Sequence, residues 1–300
     1  MKRISIVIVT YHSEKDIYDC VRSIQQYADI PIQDIELIIV DNSQPASTDM
    51  FDQLRKIWGE DIILESNHQN GGYGQGNNIG IRLATAPVVM IMNPDVRLIM
   101  PVFNEVLKVF EQDPETTVVG MRQMISPTKY GTSFAATRTL PGWLANLMTV
   151  FGNRLQIYCS KYMWFHGACF FIHREKFAEV GLFDETNFMY GEENDIHYRL
   201  TKRFGSHMHY CANLKYLHLT SDRTPTMDYI LALVKSDIFL FEKKGYTREQ
   251  IIRHHISQAR MQILIKNIAY YLGLVDNKSR ELTQHTLDWY QGLLTQPDAK

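Results

Sequence analysis

Three stretches of the sequence carry residue types that can do chemistry together: Asn93-Pro94-Asp95, Glu192-Glu193-Asn194-Asp195 and His218. Asn93-Pro94-Asp95 closes an apolar run at 88–92, so Asp95 stands where a strand should end. An unpaired carboxylate is costly in such a place and becomes reasonable if it meets a cation. Mg²⁺ and Mn²⁺ take few protein carboxylates and fill the remaining positions with phosphate oxygens and water. A plain turn explains Asn-Pro-Asp as well. The acidic group at 192–195 lies at the start of a helical pattern over 193–203. Acidic residues suit a first helical turn, and Asp195 can pair with Arg199 one turn on. The same placement suits a general base, because a carboxylate on a rigid helix start can take a proton from an attacking hydroxyl. His218 sits among apolar residues, where an imidazole is either a core group or a metal ligand. His166-Gly167-Ala168 offers close approach at its glycine, for packing or for a ligand.

The elements that must position these groups alternate. Strand-like runs at 5–10, 35–40, 61–64, 88–92 and 117–121 are separated by helical spacing at 14–27, 52–58, 76–83 and 102–110. Continuous apolar strands between helices predict an α/β fold with a mostly parallel sheet covered on both faces. Such sheets bind ligands at the carboxyl ends of their strands. That directs attention to Thr10-Tyr11, Asp41-Asn42 and Asn93-Pro94-Asp95. The segment Asn70-Gly71-Gly72-Tyr73-Gly74-Gln75-Gly76-Asn77-Asn78 reads as a glycine-rich loop that can bring backbone N–H groups to a phosphate. It is not a dinucleotide fingerprint, and no P-loop motif occurs anywhere. Further on, the pattern predicts a loop at 126–134, a helix at 140–151, a strand at 165–172 and strand pieces at 207–211 and 215–219. Helices are expected at 229–243, 248–272 and 278–294. The composition shift near Thr224-Pro225 divides the chain into residues 1–224 and a helical region, 225–300.

Composition excludes classes rather than naming one. The 300 residues carry a formal net charge of −2, so no global basic field argues for nucleic acid. No apolar run approaches the ~18 residues of a spanning helix. The N-terminus lacks a signal-peptide pattern, and the expected location is the cytoplasm, at the inner face of the membrane if the tail touches lipid. Cys20, Cys159, Cys169 and Cys211 show no CxxC spacing and read as thiols. Residues 251–274 mix Arg253, Arg260 and Lys266 with Ile and Leu. Such a basic amphipathic helix either lies on a bilayer or packs on its own domain or a second subunit. Trp164, Phe165 and His166 can form an aromatic platform for a sugar face, or simply pack in the core.

Taken in order, Val7-Ile8-Val9-Thr10-Tyr11, Val40-Asp41-Asn42-Ser43, Asn70-Gly71-Gly72 with Asn77-Asn78, Asn93-Pro94-Asp95 and Gly191-Glu192-Glu193-Asn194-Asp195 resemble the signature series of family 2 glycosyltransferases. The nearest subgroup is similar to the bacterial rhamnosyltransferase-like enzymes of cell-surface polysaccharide synthesis, and the likeness spans residues 4–221. The resemblance implies a GT-A fold with a C-terminal helical appendage. It implies inverting transfer of a sugar from a UDP- or dTDP-linked donor to a saccharide or lipid-linked acceptor, with Mn²⁺ or Mg²⁺. By the same resemblance, Thr10 and Tyr11 pack on the nucleotide base and Asp41 binds the pyrimidine edge. Gly71 and Asn77 lie near the ribose and diphosphate, and Asn93 stands where the wider family has an acid. Asp95 and His218 hold the metal, and Trp164, His166 and Gly167 face the acceptor. Glu193 falls on the base position, with Glu192 and Asp195 as its neighbours. Two other classes compete: a non-catalytic sugar-nucleotide-binding scaffold, and a nucleotidyltransferase. The second expects a glycine-rich loop after the first strand, where this chain has Thr10-Tyr11-His12-Ser13.

Overall fold

The computed structural model describes residues 1–219, 226–274 and 276–295. The expected boundary at Thr224-Pro225 lies outside the described residues. In chain order the elements are β1 (Ile4–Thr10), α1 (Glu14–Gln26), β2 (Ile35–Asp41), α2 (Thr48–Trp58), β3 (Ile63–Ser66), α3 (Gly72–Leu83), β4 (Val88–Met92), β5 (Val96–Leu98) and α4 (Phe103–Gln112). There follow β6 (Val118–Ser126), β7 (Lys129–Tyr130), β8 (Phe134–Ala136), α5 (Gly142–Leu155), β9 (Met163–Phe165), β10 (Cys169–His173), α6 (Arg174–Glu179), α7 (Glu192–Phe204) and β11 (Met208–His218). Three helices complete the chain: α8 (Met227–Glu242), α9 (Arg248–Tyr271) and α10 (Asn277–Thr295).

The contacts divide the chain into two compact units, one of residues 1–133 and 165–222, the other of residues 134–164 and 223–300. The first holds a nine-stranded sheet in the order β3-β2-β1-β4-β10-β6-β11-β5, with β7 added to β6. β1, β2, β3 and β4 pair in parallel, as continuous β-branched runs demand. Beyond β4 the expected parallel pattern fails. β10 enters antiparallel between β4 and β6, and β5 pairs antiparallel with β11. The sheet is therefore mixed. Two pieces expected at the end of the first unit are one strand, β11, with a register shift between Cys211 and Lys215. A single expected strand at 165–172 is two, β9 and β10, interrupted at His166-Gly167-Ala168.

The order β2-β1-β4 marks the place where the chain crosses from one side of β1 to the other. The carboxyl ends of β1, β2 and β4 meet there, as at other α/β switch points. Helix α1 buries Ile17, Cys20, Val21 and Ile24 against the sheet. Helix α3 starts at Gly72, four residues before the expected start. Its glycines belong to the helix because the helix lies hard against β1. A Cβ at Gly80 would collide with Val7, and one at Gly76 would meet Val9 Cγ1 at 2.7 Å. Gly72 has φ +83° and no room for a side chain beside the Phe188 carbonyl.

In the second unit α5, α8 and α10 pack on α9. Its core contains Val234, Ile252, Ile256, Leu287 and Tyr290. Among the described residues no helix is long and apolar enough to cross a membrane.

Candidate active site

The ends of β1 and β2 are tied together by side chains. Thr10 Oγ1 donates to Asp41 Oδ1 (3.0 Å), which also accepts from Ser43 N and Ser43 Oγ, while Asp41 Oδ2 accepts from Ser47 N. Asp41 is 0 % exposed. The expected contact with a base edge is therefore not preformed. In this structure the carboxylate shapes the turn into α2, and a ligand would have to displace one of these donors. Tyr11, by contrast, is exposed, with its ring edge-on to His12 at 4.4 Å. Asn42 Nδ2 donates to Gly72 O and its Oδ1 accepts from Asn67 Nδ2, joining the same strand end to the start of α3. Gly71 caps that helix. Asn77, expected at the ribose and diphosphate, is buried and donates to Tyr73 O one turn back. The helix period sets it on the same face as Tyr73, whose hydroxyl reaches Gly167.

The register of β10 on β4 builds the centre of the site. Cys169 pairs with Met92, so the residues before β10 lie beside those after β4. Asn93 N donates to Ala168 O (2.8 Å). The Asn93 carbonyl also accepts from the buried Cys20 thiol and from Val96 N. Arg97 Nη1 donates to Pro94 O and Val96 O, which fixes the turn from below. At the far end of β11, His218 pairs with Val96, so its ring reaches Asp95. His218 Nε2 lies 3.3 Å from Asp95 Oδ2. Burial, with His218 as a lesser cause, pushes His166 down to about 4. It is neutral at ordinary pH.

From the other side come α3 and α7. Tyr73 Oη donates to Gly167 O (2.7 Å). The Gly167 N–H bonds the Glu193 carboxylate. A Cβ on Gly167 would collide with Glu193 Oε1 and stand 3.0 Å from Tyr73 Oη. Burial holds Glu193 above the usual carboxylate range. Glu192 is raised too, by burial and by the Glu193 charge beside it. Asp195 is different. Its Oδ2 accepts from Arg199 Nε (2.9 Å) and Nη2 (2.6 Å), while Arg199 Nη1 donates to Val180 O. The pair lies within α7, and its Arg199, bonded to Val180 O, ties that helix to the end of α6. Trp164 falls in the second unit.

Sequence reasoning missed Tyr73, Asn78 and Arg97. Asn78 holds the approach to α7, donating to Phe183 O and Glu185 Oε1 and accepting from Phe183 N. No local pattern announces the roles of Tyr73 and Asn78, because their partners lie about a hundred residues away, whereas Arg97 bonds the carbonyls of its own turn. The glycine-flanked Tyr73 was the one available hint.

Asp95 and His218 suit a divalent cation to a stated extent. Neighbouring donors in an octahedral shell with ~2.1 Å bonds lie about 3 Å apart, close to the separation observed here. An oxygen with an imidazole nitrogen favours Mn²⁺ over Mg²⁺. Among the described residues no group of three metal-ligating side chains occurs. Such an ion would take its other ligands from a diphosphate and water.

The family model for glycosyl transferase family 2 matches residues 5–181. The low-salt glycan biosynthesis hexosyltransferase of Haloferax volcanii is 30% identical over 213 residues, 65% of this chain and 61% of that protein. The poly(ribitol-phosphate) beta-glucosyltransferase of Bacillus spizizenii is 32% identical over 94 residues, covering 31% of this chain and 15% of that one. The chain thus spans less than two thirds of the length of these relatives. Among solved structures, the mannosyltransferase of Pyrobaculum calidifontis with GDP-Man and Mn²⁺ superposes with a TM-score of 0.61 at 14% identity, covering 96% of this chain and 84% of that one. S. aureus TarS with UDP gives 0.54 at 14% identity, covering 87% and 70%. These likenesses show the GT-A fold, and with the match over 5–181 they place the chain in glycosyl transferase family 2.

Proposed function

We propose that the chain is an inverting glycosyltransferase, moving a hexosyl or deoxyhexosyl group such as rhamnose from a UDP- or dTDP-linked donor to a hydroxyl of a saccharide or lipid-linked acceptor. The observation that carries this reading is the role of residues 167–168 as a hub. Ala168 O receives the Asn93 amide, and Gly167 receives the Tyr73 hydroxyl on its carbonyl and seats Glu193 on its N–H. A candidate diphosphate site and a candidate base are thus fixed to one short segment.

Asp95 and His218 would hold a divalent ion, which supplies Lewis-acid assistance to the departing diphosphate when bound. Glu193 accepts the proton of the acceptor hydroxyl as that oxygen attacks the anomeric carbon. Its raised proton affinity brings it nearer the operating pH, which strengthens a general base. The N–H of Gly167 keeps the carboxylate aimed. Tyr11 offers an exposed ring for the base, and His166, neutral and buried, lines the acceptor side without repelling a cation. The relatives named as hexosyl- and glucosyltransferases support the sugar class and leave rhamnose as one candidate within it.

The test is Glu193→Gln, assayed with Mn²⁺ against a panel of nucleotide sugars by released nucleotide. Turnover should fall by roughly 10²–10⁴, with donor binding retained. A variant that turns over like the wild type removes the base assignment. A wild-type protein that binds donor and transfers to no acceptor supports the scaffold reading.

A further inference from the structure

The second unit carries a surface that its own core does not use. The buried face of α9 ends at Ala259, after Ile251, Ile252, His255 and Ile256. Beyond it the helix still presents large apolar side chains, now to solvent: Leu264 (53 % exposed), Ile268 (55 %), Tyr271 (82 %) and, just past the helix, Leu272 (68 %). Their spacing of four, three and one puts them on one stripe. Continued toward the N-terminus, the same stripe runs through Arg260, Ser257 and Arg253. A groove of about 450 Å³ opens there, lined by Trp143 of α5 together with Arg253, Ser257, Arg260 and Leu264. Trp143 N donates to Ser257 Oγ (3.0 Å), which fixes the start of α5 over this groove. Trp143 is itself exposed, and so are Val150 and Phe151, two turns further along α5.

We infer that this face of α5 and α9 docks on an anionic lipid bilayer. Two features favour lipid over a second copy of the chain. The first is charge: Arg253 and Arg260 stand exposed on this stripe, and the one acid of α9, Glu249, pairs with Arg253 at 2.7 Å and leaves Arg260 as surplus positive charge. A two-fold contact would set each copy's Arg253 and Arg260 near those of its mate, whereas an anionic surface attracts them. The second is residue type: Trp143 and Tyr271 flank the aliphatic stripe, and such rings settle at the headgroup level, with Leu264, Ile268 and Leu272 entering the acyl boundary. The surface lies wholly in the second unit and does not rest on the proposed reaction, though a lipid-linked acceptor would make use of it.

The full chain should co-sediment with vesicles of phosphatidylcholine plus phosphatidylglycerol, more weakly with phosphatidylcholine alone, and less at high salt. The double change Ile268→Asp with Leu272→Asp should weaken binding about tenfold or more. Arg253→Gln and Arg260→Gln should each cost about fivefold on anionic vesicles. Released-nucleotide activity on soluble donor and the circular dichroism spectrum should stay unchanged in all of these variants. Brominated lipid should quench a tryptophan signal that Trp143→Phe removes. No sedimentation of the wild type with anionic vesicles, or equal sedimentation of wild type and every variant, overturns the inference. So does a dimer in solution that Ile268→Asp with Leu272→Asp converts to monomer while vesicle binding is absent throughout.

Discussion

Glu192 and Glu193 are adjacent on the first turn of α7, yet their surroundings give them different titrations. Both are raised by burial, and Glu192 also bears the neighbouring charge of Glu193. A charge on one of them makes the other's harder to form, so the pair gains its two charges in separate steps. If Glu193 is the base, the acidic limb of kcat/KM should lie above the ordinary glutamate value of 4.5. Glu192→Gln should keep an acidic limb in the profile, because the base itself remains, whereas Glu193→Gln should remove the activity that the limb reports. Stability should respond in the opposite way. A carboxyl that binds its proton more tightly in the folded chain supports folding fully below 4.5, and that support is lost as pH rises through the raised value. The melting temperature of Glu192→Gln should thus exceed the wild type's by a margin that opens with rising pH, reaching a few degrees. An unchanged margin from acid to alkaline pH contradicts the assigned burial. Gly167 gives a sharper geometric test. Gly167→Ala must push the Glu193 carboxylate away, and a displacement near 1 Å should lower kcat about 10²-fold with little change in melting temperature. Loss of KM alone, with kcat intact, would place Gly167 in binding instead.

At the scale of elements, the site depends on how closely α3 approaches the sheet. The runs of β1, β2 and β4 were plain in the sequence because these strands are buried almost throughout, unlike the half-buried edge strand β3, and the β4 run at 88–92 matches the observed strand end for end. The antiparallel entry of β10 was not legible, since a short apolar strand carries no mark of its direction. That entry, rather than any motif, sets His166-Gly167-Ala168 beside Asn93-Pro94-Asp95. The glycines of residues 71–76 were legible as unusual but not as helical. Glycine disfavours helices, and its use here follows from close neighbours: the Phe188 carbonyl at Gly72, Phe183 at Gly74 and Val9 at Gly76. The candidate acids at 95 and 192–195 were visible because charge at a strand end or helix start stands out, whereas the burial of Asp41 and Asn77 is set by how the elements pack and has no mark in the local sequence. Gly80→Ala should test the packing. Its methyl group must displace Val7, costing ~1–3 kcal/mol as an overpacked contact. Adding Val7→Ala should return part of that loss in a double-mutant cycle. Additive losses in denaturant melts would show that the approach of α3 to β1 is not what the glycine permits.

For the whole molecule, the net charge of −2 sets a problem that a single residue does not. A nucleoside diphosphate is strongly anionic, and a near-neutral chain has no broad positive field to gather it. Arg97 stands at the candidate diphosphate site, but its Nη1 is engaged by the backbone carbonyls of Pro94 and Val96. His218 beside Asp95 brings at most one further charge, and only when protonated. If donor binding relies on an ion at Asp95 and His218, two consequences follow together. Affinity for UDP or dTDP measured by calorimetry should fall by ~10²-fold or more when a chelator replaces Mn²⁺, as expected when the ion carries the phosphate contacts. The same affinity should change little with added monovalent salt, because a short-range inner-shell contact is screened far less than a surface field. Asp95→Asn should abolish the metal dependence, and His218→Ala should weaken it while leaving the fold intact. A nucleotide affinity that ignores chelator yet collapses with salt would move the diphosphate away from Asp95 and onto cationic side chains of the protein.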